Sequence, residues 1–356
     1  MEDIFKKLEE LYGQEVDPTP YGNGHINRTY VTKGSPRLLI QQINTTVFPN
    51  PRGMMDNIIA VTEHVKPKLA AKGKDPDRAT LTVIPNKNGE TLTQIGDLYF
   101  RGYYFIEDSC CYDLVSPPIL EAAGKSFGEF QQMLVDFPAE TLFEVIPHFH
   151  DTPHRFDAFR AAIEADVKGR AAECADEINY YASHEAFYHT VADRLADGRL
   201  PLAVTHNDTK INNVLFDYDG NGLCVIDLDT VMPGSRLYDY GDALRTGAAT
   251  AAEDEEDLSK VGFDEEKFAA FTRGYLSTVK DAMTAEEIAL LPESFLLLTL
   301  ECGMRFLTDF LAGDTYFRIH KPNHNLIRAR NQMKQAIEIE KALPRLHEIV
   351  KTCVEG

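Results

Sequence analysis

The sequence predicts an α+β fold in two lobes, a small sheet-rich N-terminal lobe and a larger, mainly helical C-terminal lobe. The first observation is a group of β-favouring clusters that ends near residue 106, and the second is a series of long helical patterns after it. The third is the length of 356 residues, which suits about two domains. We therefore expect an N-terminal nucleotide-binding lobe over residues 1–107 and a C-terminal catalytic and substrate-binding lobe over residues 108–356.

Composition excludes several classes of protein. The chain has 36 Lys and Arg against 56 Asp and Glu, a net charge of −20, which argues against a broad basic surface for nucleic acid. The first ten residues lack the apolar core of a signal peptide. The most apolar stretch, 295–310, is shorter than the ~20 residues of a membrane span. Six cysteines without C-x-x-C spacing predict neither disulfides nor a zinc site. We expect a cytoplasmic protein without a nucleic-acid or membrane partner.

Periodicity and turn residues predict the elements in chain order. Gly13 closes an amphipathic first helix, and Lys-Gly-Ser-Pro separates the first two strand clusters. The N-terminal elements are a helix at 1–13, strands at 25–32 and 37–43, a helix at 54–71, and strands at 81–85 and 94–106. The later helices are expected at 118–135, 155–170, 172–196, 265–280, 285–312 and 325–351. One hairpin, 214–216 with 223–226, interrupts them.

Three side chains around that hairpin point to phosphoryl transfer. Asp208 lies in a short loop, Asn213 follows five residues later, and Asp227 ends the hairpin. Because a hairpin folds back on itself, the residues before its first strand and after its second are expected to be neighbours. Carboxylate and amide oxygens suit Mg²⁺, which completes its coordination with water and phosphate oxygens.

Asp208 is then free to accept a proton from an attacking hydroxyl, as in kinase-type phosphoryl transfer. Lys210 could neutralise charge that develops on the transferred phosphoryl group. The alternative is that these Asn and Asp residues only build turns. The ordered set of three favours the catalytic interpretation.

Two motifs carry a resemblance to a known family. His206-Asn-Asp-Thr-Lys-Ile-Asn-Asn and Val225-Ile-Asp-Leu-Asp resemble the H-G-D-x-x-x-x-N and I-D motifs of aminoglycoside phosphotransferase/choline kinase-like enzymes. The continuation Asp227-Leu-Asp-Thr-Val-Met-Pro-Gly is similar to the N-acetylhexosamine 1-kinase branch. So are the blocks that begin at Pro20, Phe127 and Gly303.

The resemblance implies a protein-kinase-like bilobal fold, ATP as co-substrate and Mg²⁺ as cofactor. It makes Asp208 the catalytic base, with Asn213 and Asp227 as metal ligands and Asp229 as a further ligand or a support for them. It also implies structural support for the catalytic loop, from His206, Asp239 and Asp242.

The resemblance places the nucleotide between a glycine-containing loop and the connection between the lobes. Gly22, Gly24 and Asn27 form that loop, although a plain hairpin turn would have the same composition. Backbone groups of Phe105 and Glu107 are candidates for the adenine edge. Where the family places a basic residue this chain has Gln41 and Gln42, so the phosphates need another source of charge. Lys33, Arg37 or a further metal ion are the candidates.

The acceptor site is expected near a charged stripe on an apolar helix. Glu301, Arg305 and Asp309 share one helix face, which fits either an ion-pair ladder or an Arg305 that points into the acceptor site. The resemblance supports the second interpretation and adds His25 and Tyr316 as sugar contacts.

We expect a kinase that phosphorylates the anomeric hydroxyl of N-acetylglucosamine or N-acetylgalactosamine. The alternatives are a kinase of the same fold for homoserine, choline, methylthioribose or an aminoglycoside, and a non-catalytic nucleotide-binding regulator. The complete set of Asp208, Asn213 and Asp227 argues against the regulator.

Overall fold

The computed structural model describes residues 2–22, 26–112 and 115–355, and it confirms the two-lobed α+β fold. The described strands form three sheets in which neighbouring strands are antiparallel. They are β1 (Arg28–Val31), β2 (Leu38–Ile43), β3 (Val83–Ile84), β4 (Thr93–Ile95), β5 (Leu98–Tyr104), β6 (Ala203–Thr205), β7 (Val214–Phe216), β8 (Gly222–Val225) and β9 (Met232–Gly234). The described helices are α1 (Glu2–Tyr12), α2 (Pro51–Ala71), α3 (Pro76–Ala79), α4 (Pro117–Met133), α5 (Thr152–Ala165), α6 (Ala175–Ala182), α7 (Glu185–Ala196), α8 (Arg236–Gly247), α9 (Glu265–Val279), α10 (Ala285–Ala289), α11 (Leu291–Ala312) and α12 (His324–Glu355).

The N-terminal sheet has the order β1-β2-β5-β3, with β4 also paired to β5. Alternate side chains of β2 face opposite sides of it. Leu38 and Ile40 join the apolar cluster that contains Leu8 of α1, whereas Leu39 and Ile43 pack with the larger core that contains α2. The sheet therefore lies between α1 and α2, and the odd-numbered positions of β2 face α2.

The C-terminal lobe packs around α11, which is buried along most of its length. Helices α4 and α9 approach closely because glycines line their contact: a Cβ on Gly274 would lie 2.0 Å from the carbonyl oxygen of Glu121. A Cβ on Gly128 would lie 2.2 Å from Oγ1 of Thr278. The sequence block that begins at Phe127 therefore has a packing role.

Several predicted elements differ from the observed ones. The helix predicted at 172–196 is divided into α6 and α7, because the side chains of Ser183 and His184 bind the carbonyl oxygen of Tyr180 at the break. The helix predicted at 285–312 is interrupted before Pro292, which has no backbone N–H to continue the hydrogen-bond pattern. Helix α8 and the strand pair β6–β9 were not predicted.

One buried side chain joins α2 to the C-terminal lobe. Nδ2 of Asn57 donates hydrogen bonds to the carbonyl oxygens of Val231, at 2.8 Å, and Phe143, at 2.7 Å. Its Oδ1 accepts the Phe143 N–H at 2.8 Å. Helix α2 is therefore fixed to the segment that follows Asp227.

Among the described helices, none combines the length and apolar character that crossing a bilayer requires.

Candidate active site

The loop between β6 and β7 carries the predicted catalytic residues. Nζ of Lys210 lies 2.7 Å from Oδ1 of Asp208, whose side chain is 24% exposed. Nδ2 of Asn213 donates to the backbone carbonyl of Asp208 at 2.7 Å and to its Oδ2 at 3.3 Å. The structure thus brings these three side chains together, with Asp208 still accessible to a substrate.

Two carboxylates of α8 hold the backbone of this loop. Asp239 accepts the N–H groups of His206, at 2.9 Å, and Asn207, at 2.7 Å. Asp242 accepts the N–H of Thr209 at 3.1 Å. Asn207 has a φ of 65°, a left-handed conformation that a non-glycine residue adopts only when its surroundings impose it. The Asp239 and Asp242 carboxylates provide those surroundings.

His206 is fully buried and links the loop to the hairpin. Its Nδ1 accepts the N–H of Asp208 at 3.3 Å, so its Nε2 carries the proton and donates to the carbonyl oxygen of Ile226 at 2.9 Å. Both ring nitrogens are occupied, which fits a role in shaping the loop.

The hairpin brings Asn213 and Asp227 to one end, as its geometry predicts. Val214 pairs with Val225, and the N–H of Ile226 donates to the carbonyl oxygen of Asn213 at 2.9 Å. Asp227 also has a left-handed backbone, with φ 59°. A residue held in this conformation beside a catalytic loop is typical of functional sites.

The electrostatics of Asp227 fit a cation site. Burial, together with the carboxylates of Asp229 and Asp208, raises the pKa of Asp227 to about 7. A divalent cation would relieve this repulsion, and the amide oxygen of Asn213 adds a second hard ligand. Within the described residues, no group of three His, Cys, Asp or Glu is arranged to hold a metal unaided. A carboxylate and an amide oxygen are ligand types that suit Mg²⁺, which takes its other ligands from water and phosphate.

Asp229 faces the N-terminal sheet. Its Oδ1 lies 2.5 Å from Nη1 of Arg101, and its Oδ2 accepts a hydrogen bond from Nδ2 of Asn27 at 2.6 Å. Nε and Nη2 of Arg101 both donate to Oε1 of Gln41, at 3.0 and 2.7 Å. Arg101 and Asp229 are buried, so an ion pair lies under the sheet beside the candidate cation site.

The two basic residues that the sequence offered as phosphate partners lie elsewhere. Lys33 pairs with Glu15 at the surface, and Arg37 pairs with Glu107 there. The sequence interpretation missed Arg101, although one signal was present: it is the only charged residue of β5, among apolar and aromatic neighbours.

The predicted nucleotide contacts are described in part. Gly22 is exposed with φ 76°, whereas Gly24 and His25 lie outside the described residues. Asn27 accepts the Asn44 N–H at 3.0 Å through Oδ1, so it joins the end of the loop to both β2 and Asp229.

The connection between the lobes has both paired and unpaired backbone groups among its described residues. The N–H of Phe105 donates to the carbonyl oxygen of Arg37 at 3.0 Å. Nη1 of Arg78 donates to the carbonyl oxygen of Glu107 at 2.6 Å. Among the described hydrogen bonds, none involves the Phe105 carbonyl or the Glu107 N–H, so these two groups can meet an adenine edge.

Arg305 lies among three aromatic rings. Its guanidinium carbon is 5.3, 5.9 and 5.7 Å from the ring centroids of Phe149, Tyr316 and Phe317. The Arg305 side chain is 17% exposed, and its Nη1 is 4.0 Å from Oε1 of Glu301. This is a cation–π environment with the polar edge of the guanidinium still able to bind a ligand.

Asp309 corrects the ion-pair ladder interpretation. Its carboxylate accepts the backbone N–H groups of Thr315, Tyr316 and Phe317 at 2.8 to 2.9 Å, so it does not continue a charge ladder from Arg305. Asp309 instead fixes the segment that carries Tyr316, whose side chain is 65% exposed.

His150 connects this region to the catalytic loop and was missed in the sequence. Its Nδ1 lies 2.8 Å from Oε1 of Glu301, and its Nε2 lies 3.2 Å from the carbonyl oxygen of Asn207. Burial opposes charge on both side chains, yet Glu301 raises the pKa of His150 and His150 holds the pKa of Glu301 below its usual value. The two therefore form a buried ion pair that spans from α11 to the residue before Asp208.

We expect Glu301→Gln to lower the free energy of unfolding by about 3 to 5 kcal/mol, because it leaves the His150 charge buried without a partner. The pair stabilises the folded state fully between pH 4.5 and pH 6.5. These limits are the pKa values of Glu and His in the unfolded chain. The contribution of the pair is lost as pH falls through the folded pKa of Glu301 or rises through that of His150. Urea unfolding at several pH values measures this.

The matched control is Asp193→Asn, which breaks an exposed pair with His189. That change is expected to cost less than about 1 kcal/mol. Equal losses in the two variants would contradict a special role for the His150–Glu301 pair.

Comparisons with known proteins agree with this geometry. A family model described as a phosphotransferase enzyme family matches residues 18–271. Three solved structures were compared over nearly their whole length. An aminoglycoside phosphotransferase from Alicyclobacillus acidocaldarius is 13% identical, with 94% of this chain and 92% of that chain covered and a TM-score of 0.62.

The other two structures are similarly distant in sequence. An amicoumacin kinase, solved with AMP-PNP, Ca²⁺ and amicoumacin, is 13% identical, with 96% and 93% covered and a TM-score of 0.61. A choline kinase from Cryptosporidium parvum is 15% identical, with 100% and 99% covered and a TM-score of 0.58. At these identities the likeness shows a shared kinase-like fold.

Proposed function

Because the chain belongs to the phosphotransferase enzyme family, and so is an ATP-using small-molecule kinase with a hydroxyl acceptor, we propose that its acceptor is the anomeric hydroxyl of an N-acetylhexosamine. The observation that carries this proposal is Arg305, whose partly exposed guanidinium is held among three aromatic rings. The proposal also includes the role of each residue in the transfer.

Asp208 orients the acceptor hydroxyl and takes its proton. Burial alone would raise the pKa of Asp208. The neighbouring Lys210 ammonium nevertheless holds this pKa below its usual value, so the carboxylate is ionised at neutral pH. Lys210 stabilises the negative charge of the transferred phosphoryl group. Asn213 and Asp227 would hold Mg²⁺, which neutralises phosphate charge when bound.

The nucleotide lies between the two lobes. Gly22 and Gly24 belong to the loop over the phosphates, and Asn27 ends that loop. Gln41 projects from the facing strand on the α2 side of the sheet. The carbonyl oxygen of Phe105 and the N–H of Glu107 meet the adenine edge. They supply one acceptor and one donor from the same short segment.

The charge of Arg305 argues against a cationic acceptor. Choline-type ligands are bound by aromatic rings that surround their positive charge. Here the rings of Phe149, Tyr316 and Phe317 already surround a guanidinium, which would repel a second cation. A neutral sugar with hydroxyl and N-acetyl carbonyl oxygens offers acceptors for the N–H groups of Arg305. Tyr316 and His25 supply the remaining sugar contacts in this proposal.

The test is ADP release from Mg·ATP across a panel of acceptors. The panel contains N-acetylglucosamine, N-acetylgalactosamine, unmodified hexoses, homoserine, choline, methylthioribose and aminoglycosides. Selective turnover of the N-acetylhexosamines, with ³¹P coupling to the anomeric proton in the product, supports the proposal. Selective turnover of another compound in the panel would make that compound the acceptor. Absence of ADP release with every compound would favour a nucleotide-binding regulator.

We expect Arg305→Gln to raise the KM for the sugar by about 10- to 100-fold, with the KM for ATP unchanged, because a charge-assisted hydrogen bond to the acceptor is lost. Arg318→Gln is the matched control, because Arg318 is an exposed cation of the neighbouring segment. A change in the ATP KM, or an equal effect of the control, would contradict the assignment of Arg305.

A further inference from the structure

Arg101 and Gln41 form one polar group on the α2 side of the N-terminal sheet. They are cross-strand partners in the β2–β5 register. Both nitrogen donors that Arg101 directs at Gln41 meet the same amide oxygen, at 3.0 and 2.7 Å. The guanidinium also lies 4.0 Å from the sulfur of Met55 on α2. Arg101 is thus fixed between the sheet, α2 and Asp229.

The amide of Gln41 is oriented by this contact. Since its oxygen faces Arg101, its NH₂ group points the other way and donates to Oγ1 of Thr29 at 3.1 Å. Thr29 belongs to β1, the strand that follows the phosphate loop. The NH₂ group has a second N–H, which is available on the side of the sheet that borders the nucleotide cleft.

Negative charge accumulates around the candidate cation site, on the side where Arg101 lies. Asp208, Asp227 and Asp229 place three carboxylates around the site, and a nucleotide adds further negative charge. Lys210, beside Asp208, is assigned to the transferred phosphoryl group, and Lys33 and Arg37 are paired with carboxylates at the surface. Arg101 is the cation that the structure places against Asp229, and its charge acts strongly because it is buried.

We propose that the partly exposed Gln41 amide binds the nucleotide phosphates and that Arg101, buried behind it, orients this amide and acts on the phosphates through its charge. Arg101 supplies the positive charge, and the Gln41 amide supplies the N–H donor. Asp229 and Asn27 are positioning residues that hold this pair, so Asp229 is not a metal ligand. The inference rests on ATP use by this family and is independent of the sugar acceptor.

The first test measures nucleotide binding without metal, by calorimetry in EDTA. Arg101→Gln is expected to weaken ADP and ATP binding by about tenfold or more and to leave adenosine binding unchanged. Lys33→Gln, which removes an exposed cation of the same lobe, is expected to change neither. ADP binding as in the wild type would overturn the proposal.

A charge exchange separates phosphate binding from a structural role. The double variant Gln41→Lys/Arg101→Gln keeps one cation and one amide in the cross-strand pair, with their positions exchanged. It is expected to recover most of the lost ADP affinity. If Arg101→Gln does not fold, the double variant Arg101→Gln/Asp229→Asn, which removes both buried charges, takes its place in the measurement. If the exchange variant folds but does not recover ADP affinity, the assignment of the charge to Arg101 and of the N–H donor to Gln41 is overturned.

Asp229→Asn tests the second part of the proposal. A positioning role predicts weaker ADP binding, with the Mg²⁺ concentration for half-maximal turnover within about twofold of the wild type. A metal ligand predicts a Mg²⁺ requirement raised by about 10- to 100-fold, the range seen when metal-site groups are removed. That result would return Asp229 to the metal site.

Discussion

Asp208→Asn is expected to lower the rate of phosphoryl transfer by about 10³-fold or more and to leave ATP binding within about twofold of the wild type. The amide has the shape of the carboxylate but cannot accept the proton of the acceptor hydroxyl, and general-base catalysis supplies about 10² to 10⁴ in rate. Loss of the Lys210 ion pair adds to the effect. Coupled ADP release measures turnover, and calorimetry measures ATP affinity.

The control for this variant is Asp219→Asn. Asp219 is an exposed acid in the β7–β8 turn, close in sequence to the site but outside it. Its replacement is expected to leave both measurements unchanged. More than a tenth of wild-type turnover in Asp208→Asn would show that another group takes the proton.

Asp227→Asn is expected to abolish activity and yet to stabilise the metal-free protein. The pKa of Asp227 is raised from 3.8 to about 7, so the folded metal-free protein binds this proton more tightly than the unfolded chain. Its stability therefore falls as pH rises from about 4 to about 7. At pH 8 the cost reaches about 4 kcal/mol, because each pKa unit corresponds to about 1.4 kcal/mol. The neutral Asn avoids this cost.

Urea unfolding in EDTA at pH 5.5 and pH 8 measures the effect, which is expected to be larger at pH 8. Added Mg²⁺ is expected to stabilise the wild type at pH 8, where Asp227 is ionised, and to have little effect on the variant.

Asp217→Asn on the same hairpin is a control for which the opposite change in stability is expected. Hydrogen bonds from Asn221 lower the pKa of Asp217, so its replacement is expected to destabilise. Lower stability of Asp227→Asn at pH 8 would contradict the pKa argument.

Local sequence was sufficient for the centre of the candidate site. Asp208, Asn213 and Asp227 are joined by one hairpin, so their convergence follows from a turn and two short strands. The extent of α1 and the C-terminal end of α2 could also be predicted, because their apolar faces lie within each segment, whereas α2 begins at Pro51 and not at the predicted residue 54. These features depend on neighbours within about twenty residues.

The parts that could not be predicted depend on distant contacts. The pairing of Arg101 with Gln41 requires the strand register across 60 residues, and the His150–Glu301 pair joins residues 151 positions apart. Helix α8 is buried on nearly every side, so its sequence lacks the amphipathic pattern that reveals a surface helix. The resemblance implied that Asp239 and Asp242 support the catalytic loop, and the structure adds the helix that carries them and the backbone N–H groups that they accept.

The Asn57 contacts have a consequence for control of the enzyme. Three hydrogen bonds of the buried Asn57 side chain, each worth on the order of 1 kcal/mol, join α2 to the segments at Val231 and Phe143. Rotating this helix outward would break all three at once and expose unpaired polar groups. An outward position of α2 therefore costs on the order of 3 kcal/mol from these hydrogen bonds alone. The observed position of α2 is therefore expected to predominate without an activating modification.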